Sequence, residues 1–518
     1  MEGKDSERNE KEKVEIIETM EKFGRYQMLQ YFLICLPAAV VTIFNVNYVF
    51  VAGDINYRCR IPECDGQYPV YNTTWWPNTH TDRCTRPLLK QPAAGVCTNN
   101  SFSDEVAVCT EWVYETNNTV VAELDLGCQP WKINLIGTMH NIGMSLAMMA
   151  SGWLCDRYVF IEMLEATISS GAYTAGMVLM IEIGGKNNRV LAGVVFAYAV
   201  YMGETLYAII AMFVPYWKHL VAVLYSPAIA FILLIFVMNE SPRWQLLNDR
   251  TESAKKTLLK VAKVNKVNID SEKLINMSAE DLKNEYNIGS YEEREGFMAI
   301  FKSREMIKRA LVAVFCKFTV GFVYYGLMIN SVFLPGSKYT NFMLATAMSY
   351  PGELMSLYLM NKVGRRFPLI YGFLLCGLLC ATTGWIPEAY TWLKITVFLL
   401  GKLIVSVCYT GVITYTMELF PTSVRGTMLG VCSVSAGIGS MIAPLTPILN
   451  TVSAVLPPMI FGITAIVSGL LLIRTPETKD APLMDTIQQV DLAQSLIPRK
   501  NKTVQNEITY RFNKSDNE

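Results

Sequence analysis

Four ionisable side chains stand inside long apolar runs, three of them with tyrosines at helical spacing. Glu204 has Tyr201 one turn earlier on the same face. Lys317, Gly321 and Tyr324 line one face of a later run, with Tyr325 adjacent. Lys402, Ser406 and Tyr409 repeat the pattern, and Glu353 is a further acid between the two lysine-bearing runs. An ionised group at the centre of a bilayer costs about 2.5–3.5 kcal/mol on insertion scales, so each of these needs a partner or a purpose. One purpose is a cavity in which carboxylates and aromatic faces hold an organic cation, each ring contributing about 0.5–2 kcal/mol. The other reading is structural: the charges pair between helices and the tyrosines pack. Residue type and spacing leave both open.

A second set of charges recurs at the ends of runs. Glu182 is followed seven residues later by Arg189, and Glu418 by Arg425. Each half of the chain then closes with a related signal, Glu240-Ser241-Pro242-Arg243 and Thr475-Pro476-Glu477-Thr478. Glu182 to Pro242 is 60 residues and Glu418 to Pro476 is 58, so the landmarks form an internal repeat. In a membrane chain, two similar halves suggest a carrier with its site between them.

The elements that must position these residues follow from composition. The chain has 518 residues, 52% hydrophobic and 17% charged; soluble domains carry roughly 25% charged residues. Net charge is zero, which gives no electrostatic case for nucleic acid. Apolar runs of about 20 residues match a hydrocarbon layer of roughly 30 Å. The expected spans are Met28–Ala52, Trp131–Cys155, Val159–Gly184, Val190–Phe213 and Leu220–Met238, then six more near 310–334, 340–361, 367–386, 391–418, 426–449 and 456–473. This predicts an all-α polytopic membrane protein of two helical bundles with 11 apparent spans. The expected organisation is a cytoplasmic tail 1–27 without a cleaved signal peptide, an N-terminal membrane half 28–239, a charged, mostly helical cytoplasmic linker 240–308, a C-terminal membrane half 309–474, and a cytoplasmic tail 475–518 that is polar and disordered after Thr478.

Residues 53–130 form a long polar loop with Cys59, Cys64, Cys84, Cys97, Cys109 and Cys128. Six cysteines in one polar loop read as disulfides in an oxidising compartment, with fifteen pairings open. Sequons at Asn72, Asn99 and Asn117 in the same loop make it extracellular or lumenal. The basic loop Asn361–Arg366 belongs inside. His80, His140 and His219 form no triad or metal cluster, so no enzyme is expected, nor any metal or other cofactor. No nucleotide-binding loop is present, which argues against ATP-driven pumping.

The halves fail to match at one place. Asn361 to Glu418 spans 57 residues, whereas the corresponding Asp156 to Glu182 spans 26. The difference is about one membrane helix with a short loop. Parity agrees: an outward first span plus four more would leave the lysine-rich linker outside. The expectation is a splice form or gene model lacking one helix after Tyr158; re-entry by Val159–Gly184, or inverted insertion of the first half, are the alternatives.

These residues resemble the major facilitator superfamily, specifically the organic ion transporters of solute carrier family 22. Glu240-Ser241-Pro242-Arg243-Trp244 and Glu418-Leu419-Phe420-Pro421-Thr422 carry the resemblance; Asp156-Arg157-Tyr158 and Gly364-Arg365-Arg366 are shared across the superfamily. Within the family the chain looks most like insect organic cation or carcinine-type carriers. The resemblance implies twelve helices, of which the third is missing here. It implies a plasma-membrane carrier of small organic ions working by alternating access in the lipid bilayer. Tyr201, Glu204, Lys317, Tyr324, Tyr325, Glu353, Lys402 and Tyr409 would line the substrate pathway. Asp156, Arg157, Glu182, Arg189, Arg243, Arg365, Arg366, Glu418 and Arg425 would act as cytoplasmic gates. Family cation carriers often have an acid in the eleventh helix and anion carriers an arginine; Gly437 stands there, and Lys317 replaces an aromatic. A zwitterion therefore fits at least as well as a cation, and an organic anion is the alternative class. The alternative function is a truncated, non-transporting or regulatory form, retained in the endoplasmic reticulum. A coupling ion and the oligomeric state stay open.

Overall fold

The computed structural model describes residues 23–155 and 189–496 outside 54, 78–79, 81, 91–96, 232–237, 239, 248, 268–270, 286–296 and 480–486, and between 156 and 188 only Gly176, Leu179, Met180 and Ile183. Asp156, Arg157, Glu182 and the junction of the expected missing helix lie outside the described residues, as do the side chains of Arg189, Arg243 and Arg425.

Among the described residues, ten of the eleven expected spans carry helices, and the span 159–184 is described at Gly176, Leu179, Met180 and Ile183 alone. The first half contains α1 (Arg25–Val46, continued by Tyr48–Val51), α2 (Pro130–Cys155), α3 (Arg189–Phe213) and α4 (Trp217–Phe231). The second contains α5 (Arg304–Asn330), α6 (Lys338–Ala347), α7 (Ser349–Lys362), α8 (Arg366–Trp385), α9 (Thr391–Leu419), α10 (Thr422–Ile442) and α11 (Leu456–Leu472). Among the described residues, six helices are long and apolar enough to cross a membrane. The expected span 340–361 is two helices, α6 and α7, meeting at Met348. Pro351 explains the break, since it lacks the N–H that would bond back to Ala347.

Helix starts follow local chemistry. Ser303 caps α5, its hydroxyl accepting from the Met306 N–H at 3.2 Å. The first turn of α1 is tied to the linker: Asn265 accepts from the Tyr26 N–H at 2.9 Å and donates to Gln27 at 2.9 Å. Among the described residues of 240–308, Thr251–Asn265 is the longest helix, with a small core of Leu246, Ala254, Leu258, Leu274 and Leu282.

Helix packing in lipid rests on close approach, because the tails compete for apolar surface. Gly321 of α5 faces the backbone of Ala436 on α10, and Gly439 of α10 faces that of Phe318. Gly321 thus serves helix packing, although its spacing placed it on the face of Lys317 and Tyr324. The halves meet where α3 packs on α6 and α7, and where α2 packs on α10.

The tail departs from expectation. Residues 487–496 form a helix, Ile487–Leu496, whose Ile487 and Val490 are buried against the second half. Asp491 accepts from the Ser303 hydroxyl at 2.5 Å, so the cap of α5 is itself tied to the tail. The sequence around it is polar on average, and only its apolar stripe signals the docking.

The polar loop between α1 and α2 is a small folded unit. Strand β1 (Tyr57–Cys59) pairs antiparallel with Trp112–Tyr114, and Thr85–Leu89 with Phe102–Val108. The cysteines pair as Cys59–Cys109, Cys64–Cys97 and Cys84–Cys128. At its centre the Arg58 guanidinium donates to both oxygens of Asp65, at 2.9 and 2.6 Å, beneath the rings of Trp75 and Trp76. Asn72, Asn99 and Asn117 are all exposed.

Candidate functional site

Three buried charges meet where α3, α7, α5 and α9 converge. Glu204, on α3 of the first half, is 2% exposed. Lys402, on α9 of the second half, is fully buried. Each lies in the other's field, yet no lysine or arginine nitrogen comes within 4.0 Å of Glu204 among the described residues. Oε2 of Glu204 has no hydrogen-bond partner among the described residues. A buried carboxylate oxygen left without a partner costs free energy that the fold does not offset at that atom.

Lys402 is engaged elsewhere. Its Nζ sits 3.0 Å from the centroid of the Tyr324 ring and donates to the Tyr324 carbonyl at 3.2 Å. An ammonium over an aromatic face gains about 0.5–2 kcal/mol. Tyr409 packs tilted on the same tyrosine at 5.1 Å, and Tyr325 edge-on at 5.4 Å. The Tyr324 hydroxyl is 3.4 Å from Ser349, which is 3.2 Å from Ser406.

Glu353, on α7, bridges the halves. Its Oε2 accepts from the Thr410 hydroxyl of α9 at 2.6 Å and from the Tyr201 hydroxyl of α3 at 3.3 Å. Tyr350, one turn before it, stacks on Tyr198 at 5.3 Å and meets Tyr201 edge-on at 5.6 Å. Lys317 stands apart: its charge acts on Cys432 of α10, and no hydrogen bond or ion pair ties it to Glu204, Glu353 or Lys402. Lys317 shares a helix face with Tyr324, but a face seven residues long reaches past one site.

The second cluster lies at the α7–α8 turn. Arg365 Nε donates to Glu418 at 3.1 Å, and the Thr478 hydroxyl donates to the same carboxylate at 2.6 Å. Arg366 instead caps α11, donating to the carbonyls of Leu472 and Ile473. Glu477 accepts from the N–H groups of Arg365 at 2.7 Å and Arg366 at 3.0 Å, as well as those of Thr478 and Lys479. Burial alone would raise the Glu477 pKa, but these four N–H groups together hold it below the ordinary carboxylate value. Gly364 makes the turn at φ +126°, and a Cβ there would stand 2.9 Å from the Glu477 carboxylate. We therefore expect Gly364→Ala to cost about 1–3 kcal/mol through backbone strain, read as a lower thermal midpoint of the detergent-solubilised protein. Because the folded pKa of Glu477 is depressed, its contribution is complete above the unfolded pKa and is lost as pH falls through the folded one. Wild type should lose midpoint temperature over that acid window, and Glu477→Gln should lose less; equal slopes would sink this account.

The sequence model of the family described as "Sugar (and other) transporter" matches residues 140–489. The chain belongs to the sugar (and other) transporter family. Solute carrier family 22 member 3 of Rattus norvegicus is 28% identical, covering 91% of this transporter and 94% of the relative. The organic cation transporter protein of Drosophila melanogaster is 26% identical, covering 92% and 93%. Human solute carrier family 22 member 2 is 25% identical, covering 94% and 96%. Among solved structures, the partially occluded inward open xylose transporter XylE of E. coli aligns at TM-score 0.53 and 14% identity, over 88% of this transporter and 98% of that chain. The fold is therefore the major facilitator fold, and the protein is a multi-pass membrane transporter.

Several residues of this transporter's central cluster escaped the sequence reading. Tyr350, Tyr198, Thr410 and Ser349 carry no charge and sit among ordinary span residues. Tyr350 did carry a signal, an i, i+3 spacing from Glu353 next to a helix-breaking proline.

Proposed function

We propose that this protein carries small organic ions, cations or zwitterions, across the plasma membrane by alternating access, with the loop 53–130 outside and the linker 240–308 inside. The observation that supports this most is the pair Glu204 and Lys402: opposite charges, one from each half, buried but held apart beside a cluster of tyrosines. A guest with an ammonium group satisfies Glu204, and a carboxylate on the same guest meets Lys402. The relatives named as organic cation transporters and solute carrier family 22 members agree with a small charged substrate. Glu353 with Tyr201 then belongs to the contacts that part as the halves rock, whereas Glu418 with Arg365 ties helix ends within the second half on the cytoplasmic side.

The test is saturable uptake of labelled tetraethylammonium and of betaine into proteoliposomes holding the purified chain. Uptake of either supports the reading, and uptake only of a dicarboxylate places the substrate among organic anions. A second reading, a non-transporting short form, is favoured by the 26-residue spacing from Asp156 to Glu182. Transcript sequencing across those codons separates the two: a product with about 31 more residues, roughly one helix and a loop, removes the short form. A short transcript whose protein keeps endoglycosidase-sensitive glycans and lacks surface label supports it.

A further inference from the structure

The buried ammonium of Lys402 is held by few groups. It has three N–H donors; among the described residues one reaches a carbonyl, and the ammonium also lies over the face of Tyr324. Tyr324 is also the ring on which Tyr409 and Tyr325 converge, and the hydroxyl side of that ring is fixed by Ser349. A buried aromatic face of the cluster is thus already covered by a cation, and that cation belongs to the protein. Meanwhile Glu204, the carboxylate of the opposite half, keeps an oxygen without a partner. Lys402 lies in the field of Glu204, yet its ammonium sits on the Tyr324 ring rather than in an ion pair with that carboxylate.

We propose that Lys402 is a tethered occupant of the aromatic cation face, so that a substrate cation reaches Tyr324 only by displacing the lysine. Lys402 is then a specificity-determining residue. It disfavours simple cations, which must move it without repaying its lost contacts. It favours guests whose own anionic group draws the ammonium off the ring. The inference rests on the organic-ion reading above and assigns the competition within that site.

The experiment is equilibrium binding of tetraethylammonium, a permanent cation that does not titrate, to the full-length purified protein. Lys402→Met removes the charge and keeps an apolar chain of similar length. It is expected to tighten tetraethylammonium binding about tenfold, the scale of one ring contact regained. Lys402→Arg, which still covers the ring, should bind as wild type does. In Lys402→Met/Tyr324→Leu the gain should vanish, because the freed face is gone. Monodispersity on size exclusion identifies any variant that has not folded. Unchanged or weaker binding in a monodisperse Lys402→Met overturns the inference while leaving the carrier reading standing. A gain that survives Tyr324→Leu also overturns it, since it then reflects only the removal of a nearby positive charge. No binding to wild type or to any variant removes the cation reading and this inference together.

Discussion

Glu204→Gln should lower the Vmax/KM for tetraethylammonium uptake by roughly 30-fold or more, the scale of about 2 kcal/mol or more for a desolvated charge contact. Three observations set the direction. Glu204 is the first-half carboxylate described at the cluster, it is 2% exposed, and one of its oxygens has no partner among the described residues. A group so placed contributes little to the fold when it is charged, because its desolvation is not offset by contacts. Its loss should therefore leave folding intact or improve it, while removing the attraction for a guest cation. Glu353→Gln is the matched comparison. Both hydrogen bonds to Glu353 are accepted by the same oxygen, and an amide oxygen accepts them too. Its uptake should fall far less. The measurement is initial uptake normalised to surface-labelled protein. Equal losses in the two variants, or a Glu204→Gln protein that transports normally, would take Glu204 out of the substrate pathway.

Asp65→Ala is expected to destabilise the loop unit by about 3–5 kcal/mol, the cost of leaving a buried charge without its partner. The Arg58 and Asp65 side chains are 5% and 2% exposed, and both guanidinium N–H groups aimed at Asp65 lose their acceptor. Asp65 also accepts from the Ile61 N–H at 2.8 Å, in the turn that leads to Cys64. The three disulfides limit how far the loop can unfold, but they do not satisfy Arg58. In cells the variant should keep immature glycans at Asn72, Asn99 and Asn117 and lose surface label. A purified, isolated membrane fraction with normal glycan maturation would refute this. Asp65→Asn keeps one acceptor and should be affected less.

The membrane architecture was legible because a bilayer imposes one rule on every span: about 20 apolar residues with all backbone groups bonded internally. That rule placed ten spans on the eleven helices α1 to α11, from Arg25–Val46 to Leu456–Leu472, with ends differing by up to about seven residues. It also left Glu204, Glu353 and Lys402 conspicuous, since charge in an apolar run is rare. The helix Ile487–Leu496 was not legible, because a short stripe on a polar segment gains stability only from the surface it docks on.

The sequence by itself determined the fold class, the two related halves, the folded cysteine loop and the identity of the buried charges. Those follow from composition, periodicity and spacing along one chain. Only the tertiary structure decided which charge faces which. Lys402 reaches Tyr324 across 78 residues, Tyr201 reaches Glu353 across 152, and Arg366 reaches the end of α11 rather than an acid. Helical spacing places a side chain on a face, but the neighbour of that face is set by how helices pack, and packing in lipid is decided by where backbones can approach.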